Sequence, residues 1–469
     1  MYWRKLLLLG IFCAFGRYAA AQGLPPQFAQ ELVRAEIPRE AVGLVVQEVT
    51  ASMPMISFNA DVPLHPASTM KLVTTYAALE LIGPAYVWKT GAYATGPVHG
   101  GVLHGDLIIK GSGDPKLVLE SLWLFLRRIR AAGIREIRGD LVLDRSLFQA
   151  VAYDPAAFDG EPLKPYNATP DALLLNHKAL RVHFSPGDDG KSVHVTLDPA
   201  LADYVVSGPK PVEADCGDWK SRMTARMEDD IARFDGEYPL SCGEQAWALY
   251  PYRLSGDQYF VGTFRQLWRE MGGRFDGKVR KGVLAAEARL VAEWTSPPLA
   301  EIVRDINKYS NNVMARQVLL TLAAQTFNQP AMAGRGALAI RNWLALKGIS
   351  ADGLVIDNGS GLSREERITA HLMSHMLAAA YASPVMPEML ASLPIAGIDG
   401  TMRRRLMDSA VYGRAHVKTG AVQDVRAIAG YVLAASGRRY LVVCMINHPN
   451  AHRARAAQDA LLTWIHAVG

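Results

Sequence analysis

The chain has 469 residues, half of them hydrophobic and a fifth charged, a balance that excludes disordered, collagen-like and low-complexity classes. At roughly 100–200 residues per domain, this length implies several folding units, with inserted ones expected. The formal charge of +5 includes Arg4, Lys5 and Arg17, which lie in a segment that reads as removable; without them 47 basic residues face 45 acidic ones. A near-neutral chain without a Lys/Arg run has no electrostatic footprint for nucleic acid.

The removable segment has the three parts of a secretory signal: Arg4-Lys5, an apolar run from Leu6 to Phe15, and Ala19-Ala20-Ala21. The run is shorter than the roughly 20 residues of a spanning helix. Cleavage after Ala21 is therefore expected, with export to the periplasm or beyond. Cys13 lacks the preceding small residues of a lipidation site, and no later stretch is apolar for long enough to anchor the mature chain. Cys216 and Cys242, in a region rich in Gly, Asp and Pro, are expected to bridge in an oxidising compartment. Cys444, inside the run from Tyr440 to Ile446, reads as a small buried hydrophobe.

In chain order, residues 41–50 and 55–58 read as strands joined by a turn, and 68–82 as a helix stopped by Gly83-Pro84. From 88 to 294 the texture changes. Strand-like pieces at 102–110, 140–143 and 193–197 alternate with Gly, Asp and Pro turns, and a single amphipathic helix, 116–132, interrupts them. This is the signature of inserted material, with 166–252 a further subdomain that holds the cysteine pair. After Ser296-Pro297-Pro298 helices return at 299–307, 311–325, 335–347 and 370–382. Strands at 416–422, 427–434 and 440–446 follow, and a helix at 450–468 packs on the domain. These strands and the two near the N-terminus make one antiparallel sheet flanked by helices, an α+β architecture.

Three short motifs carry chemistry. Ser68-Thr69-Met70-Lys71 at a helix start puts a hydroxyl and an amine on one face, so a desolvated lysine can take the serine proton. The bland alternative is a helix cap with a solvated lysine. Ser310-Asn311-Asn312 joins two helices, and there Ser310 can relay a proton while the Asn312 amide holds a peptide group; capping is again the alternative. Lys418-Thr419-Gly420 lies on a strand. On an edge strand, Lys418 and Thr419 can bind a carboxylate, while Gly420 leaves room for substrate against the backbone. Copies at Ser207-Gly208-Pro209-Lys210 and Lys89-Thr90-Gly91 are set aside, the first as a turn and the second because it follows the Ser68 helix too soon.

The ordered set occurs in penicillin-binding proteins and class A β-lactamases. The long interval from Ser68 to Ser310, with Gly111-Ser112-Gly113-Asp114-Pro115, Pro165-Tyr166-Asn167-Ala168, Leu175-Asn176-His177 and the run from Asp357 to Arg364, resembles the serine-type D-alanyl-D-alanine carboxypeptidase/endopeptidases, the class C penicillin-binding proteins. The resemblance covers nearly the whole mature chain. It implies a transpeptidase/β-lactamase-like domain (22–87 and 295–469) split by an inserted domain (88–165 and 253–294) that contains a nested one (166–252). It also implies Ser68 as acylated nucleophile, Lys71 as base, Ser310 and Asn312 as relay and amide contact, and Lys418 and Thr419 as carboxylate site. The backbone N–H groups of Ser68 and Ala421 would form an oxyanion hole, although Ala421 stands where relatives often carry a hydroxyl. Glu161 and Asp159 are the candidates to meet the free amine of a diamino-acid stem peptide, with Arg364 beside them.

The implied partners are peptidoglycan stem peptides and β-lactams, and a homodimer is compatible with the reading. No metal or cofactor is implied. A β-lactamase or esterase of the same fold would differ by fast turnover of its acyl-enzyme, and a silent wall-binding scaffold would have no use for the four reactive side chains. His371 and His375, i and i+4 on a helix, lack the glutamate of a zinc-peptidase motif and read as an ordinary capped or core helix face.

Overall fold

The computed structural model describes residues 23–469; the signal segment and Cys13 lie outside the described residues. A five-stranded antiparallel sheet organises the two ends of the chain, in the order Ala415–Val422, Val425–Leu433, Arg439–Asn447, Val42–Glu48, Ile56–Phe58. Side chains alternate across a strand, so Leu441, Val443 and Met445 enter one core while Tyr440, Val442, Cys444 and Ile446 enter the other. Cover on both faces is why residues 440–446 read as an unbroken apolar run. Burial pushes the Cys444 thiol up to about 12, so it stays a packed, protonated group.

On the first face lie helices Met70–Leu81, Leu299–Tyr309, Asn312–Phe327, Ala333–Leu346, Ala370–Tyr381 and Met386–Ser392. Pro26–Arg34 and Arg455–Val468 cover the other, with Leu461, Leu462 and Ile465 buried against the sheet. Met70–Leu81 is buried from Met70 through Leu79. A helix apolar nearly all round belongs inside a core, and this one carries Lys71 into it. Among the described residues no helix is long and apolar enough to cross a membrane.

Residues 89–295 build four further sheets around one continuous apolar core. The largest has the order Val279–Lys281, Leu141–Asp144, Leu107–Lys110, Lys89–Ala94, Arg289–Thr295. Phe184, Trp219, Phe234 and Tyr238 form an edge-on and stacked aromatic cluster beneath the strands of residues 180–249. The Cys216–Cys242 disulfide closes a loop beside it.

Two local expectations need correction, and a third holds in part. Residues 102–110 are two strands in different sheets, Val102–Leu103 and Leu107–Lys110, because the chain turns at Gly105, where a side chain would collide with the backbone of Gly96. The 116–132 helix, observed as Leu119–Ala131, is not alone: Gly256–Glu270 is a second, and its capping box of Ser255 and Gln258 was legible as Ser-x-x-Gln. His371 and His375 lie on an exposed face, their Nε2 atoms 3.0 Å apart and His371 Nδ1 2.8 Å from Asp61, while Thr369 supplies the cap.

Candidate active site

Ser68 sits in a single 3-10 turn, Ala67–Thr69, that leads into Met70–Leu81. Its side chain caps nothing. Ala67 adopts φ +45°, a left-handed conformation that costs an L-residue about 1–2 kcal/mol, and the turn is held from three sides. His65 Nδ1 accepts from Ala67 N–H (3.0 Å) while Nε2 donates to Ser363 O (2.5 Å), and burial keeps that imidazole neutral by lowering its pKa. Asn447 clamps the His65 backbone, accepting from its N–H at 2.8 Å and donating to its carbonyl at 3.0 Å. Gly361 and Gly420 press on the turn from the other sides: a Cβ at Gly361 would lie 1.9 Å from Ala67 O, and one at Gly420 2.8 Å from Pro66 O and 3.1 Å from Ser68 N. Gly420 thus makes room for the serine turn.

Lys71 Nζ donates to Ser68 Oγ (3.0 Å), Asn312 Oδ1 (2.5 Å) and Ser360 O (2.5 Å). All three acceptors are neutral and the amine is fully buried, so burial, assisted by the charge of Lys418, holds its pKa well below the ordinary lysine value. Such an amine can accept a hydroxyl proton. Its use of Asn312 Oδ1 leaves Asn312 Nδ2 free as a donor.

Across the cleft, Ser310 ends its helix at φ +57°, which turns Oγ toward Lys418 Nζ, the donor at 2.8 Å. Lys418 Nζ also donates to Thr419 O (2.7 Å), and burial pushes its pKa down to about 7. Capping is the job of Asn311 alone, whose side chain accepts from Met314 N–H. The strand that bears Lys418 is a sheet edge, as expected. Thr419 Oγ1 donates to Thr401 Oγ1 at 2.7 Å.

Ser68, Ser310, Asn312, Asp159, Tyr166, Leu362, Arg364 and Ala421 line one cleft of about 370 Å³, with the amines of Lys71 and Lys418 beneath its serines. Two serine–lysine pairs facing each other can pass a proton from an attacking hydroxyl to a departing group. The family model for "D-Ala-D-Ala carboxypeptidase 3 (S13) family" matches residues 26–468. This chain belongs to that family.

As a family member it is a serine-type carboxypeptidase. A curated relative, D-alanyl-D-alanine carboxypeptidase DacB of Haemophilus influenzae, is 26% identical over 414 residues, spanning 87% of this chain and 85% of that one. The fold matches crystal structures of penicillin binding protein 4 (dacB) from Haemophilus influenzae: one at TM-score 0.78 and 22% identity, over 93% of this chain and 99% of that one, and one complexed with a β-lactam at TM-score 0.75 and 23% identity, over 92% and 99%.

Two candidates separate at the far wall. Asp159 lines the cleft and accepts from Tyr166 OH (2.8 Å), Asn167 Nδ2 (3.0 Å) and Glu161 N–H (3.0 Å). Glu161 stays off the lining, and its carbonyl receives Asn167 Nδ2. Arg364 reaches the cleft from the opposite loop, its Nη2 donating to Phe158 O at 3.0 Å. The copies at Ser207 and Lys89 belong to the sheets of residues 89–295 and do not line the cleft.

Sequence reasoning missed a layer behind the cleft. Glu366 is fully buried, and its Oε1 accepts from the N–H groups of Asn358 (3.1 Å) and Gly359 (2.7 Å), which fixes the loop whose Ser360 carbonyl holds Lys71. Burial raises its carboxyl pKa, opposed by those two N–H donors and the charge of Lys71. Only its place two residues beyond the Asp357–Arg364 run hinted at this. His65 and Asn447 gave no sequence signal, because neither belongs to a motif.

Proposed function

We propose that the chain removes the terminal D-alanine from peptidoglycan stem peptides through an acyl-enzyme on Ser68, and that the same steps cut cross-links whose leaving group is a side-chain amine at a D-centre. The single observation that carries the reading is the buried Lys71 amine 3.0 Å from Ser68 Oγ, opposite the Ser310–Lys418 pair.

Ser68 Oγ attacks the penultimate carbonyl as its proton passes to Lys71 Nζ. The N–H groups of Ser68 and Ala421 hold the oxyanion. The C–N bond then breaks as Ser310 Oγ hands its proton to the leaving amine and is reprotonated from the lysines. Water repeats the sequence on the ester and frees Ser68. Asn312 Nδ2 orients a substrate carbonyl, and Lys418 with Thr419 binds the terminal carboxylate. Asp159, rather than Glu161, meets the free amine of the diamino acid, with Arg364 beside it. Residues 22–87 and 295–469 act as the catalytic domain, split by an inserted domain at 88–165 and 253–294 with 166–252 nested inside it. The protein works outside the cytoplasm once residues 1–21 are cleaved.

The test is the intact mass of the mature protein, and of Ser68→Ala, after brief exposure to benzylpenicillin. A persistent adduct on wild type alone is the expected result. Lack of any adduct with the antibiotic intact would overturn the mechanism, and rapid hydrolysis would favour a β-lactamase.

A further inference from the structure

A second cavity, of about 560 Å³, opens beside the helix Asn312–Phe327, which contributes Arg316, Leu319 and Leu320 to its lining. Its volume lies in the range of small-ligand sites. The walls are mostly apolar, with Phe148, Val151, Leu319 and Leu320 among them. Its charged groups sort into two sets. Arg145 pairs with Asp171 and with Asp257 (2.8 Å), and Lys281 stands 3.8 Å from Asp257, so the charges of these four are paired, although Arg145 Nη2 makes no hydrogen bond.

Arg316 and Asp357 remain. Arg316 is 4% exposed, and among the described residues no carboxylate lies within ion-pair distance of it. Its guanidinium makes only neutral contacts, to Tyr153 OH (3.1 Å), Ala168 O (3.5 Å) and Leu362 O (3.5 Å), and its Nε has no partner. A buried charge without a counter-ion is costly, and structures normally pair it. Asp357 is exposed at the same cavity, and the hydrogen bond to its carboxylate comes from the neighbouring Asn358 amide. One unpaired cation and one unpaired anion on apolar walls complement a ligand that carries both charges on a small apolar body.

We propose that this cavity is a second binding site, separate from the catalytic cleft, for a short zwitterionic peptide with small apolar side chains. Its carboxylate pairs with Arg316 and its ammonium faces Asp357. The shared chemistry admits two sources, wall-derived peptides of D-residues and ordinary L-peptides.

The test titrates D-Ala-D-Ala and L-Ala-L-Ala, each free and as its N-acetylated amide, into protein whose catalytic cleft is first filled by benzylpenicillin. Binding is read by calorimetry or ligand-observed NMR. Should acylation fail, that outcome bears on the mechanism above, and the titration is run on unmodified protein.

The expected result is binding of a free dipeptide at millimolar concentration or tighter, with the preferred hand naming the source, and loss of binding for the capped form. Arg316→Gln should weaken binding on the order of tenfold to a hundredfold, the worth of a charge-assisted hydrogen bond. Val151→Trp, which fills the cavity mouth from an exposed position, should block binding even if the arginine variant does not fold. No binding of either free dipeptide, equal binding of capped and free forms, or indifference to Val151→Trp would each overturn the proposal.

Discussion

Gly420→Ala tests whether the Lys418 strand and the Ser68 turn act as one unit. The added methyl would lie 2.8 Å from Pro66 O, 3.1 Å from Ala67 Cβ and 3.1 Å from Ser68 N. The Pro66 carbonyl cannot swing aside, because it accepts from Thr69 N–H (3.2 Å) and Thr69 Oγ1 (2.7 Å), the bonds that close the turn. The strand must therefore retreat by about half an ångström, a strain comparable to core overpacking at about 1–3 kcal/mol. That retreat pulls Lys418 and Ala421 away from Ser68. Since a 1 Å misplacement costs on the order of a hundredfold in rate, acylation should slow by roughly tenfold or more. The assay is the second-order rate of benzylpenicillin adduct formation by mass spectrometry, alongside the melting temperature. A rate within about twofold of wild type, which is under about 0.5 kcal/mol of barrier, would refute the reasoning.

Glu366→Gln keeps an acceptor for Asn358 and Gly359 but removes a negative charge that favours protonated Lys71. The acid limb of the pH–acylation profile should move to lower pH, and an unmoved limb would show that Glu366 acts through shape alone. Lys418, with a pKa near 7, is charged below that value and neutral above it. The KM of a peptide with a free terminal carboxylate should therefore rise as pH climbs through 7, while an amidated analogue shows no such rise; parallel profiles would remove Lys418 from carboxylate binding. The Cys216–Cys242 bridge closes a loop with sequence separation 26, worth about 3.5 kcal/mol in the chain-entropy account. Cys216→Ser with Cys242→Ser should open residues 180–249 to protease at lower urea concentration while benzylpenicillin acylation persists, and unchanged cleavage would contradict this.

Residues that need a specific chemistry and elements that need a specific period can be read from the amino-acid order alone. A hydroxyl with an amine three residues on, a serine and an amide between two helices, and a lysine on an edge strand are set by local geometry, so Ser68, Lys71, Ser310, Asn312 and Lys418 stand out in the sequence as the candidates that the structure brings together. The sheet was legible for the same reason: strands covered on both faces are apolar throughout, as residues 440–446 are. Tertiary structure decided what depends on approach through space. Asp159 and Glu161 are both acidic and two residues apart, and only the fold of their loop turns one of them into the cleft. That Gly420 must also admit the Ser68 turn is visible only once that turn is packed against it. Glu366, His65 and Asn447 act on atoms far away in sequence, and nothing in their own neighbourhoods records it. A hydrogen bond or a steric limit between distant segments leaves no local pattern, because it belongs to the pair and not to either stretch of chain.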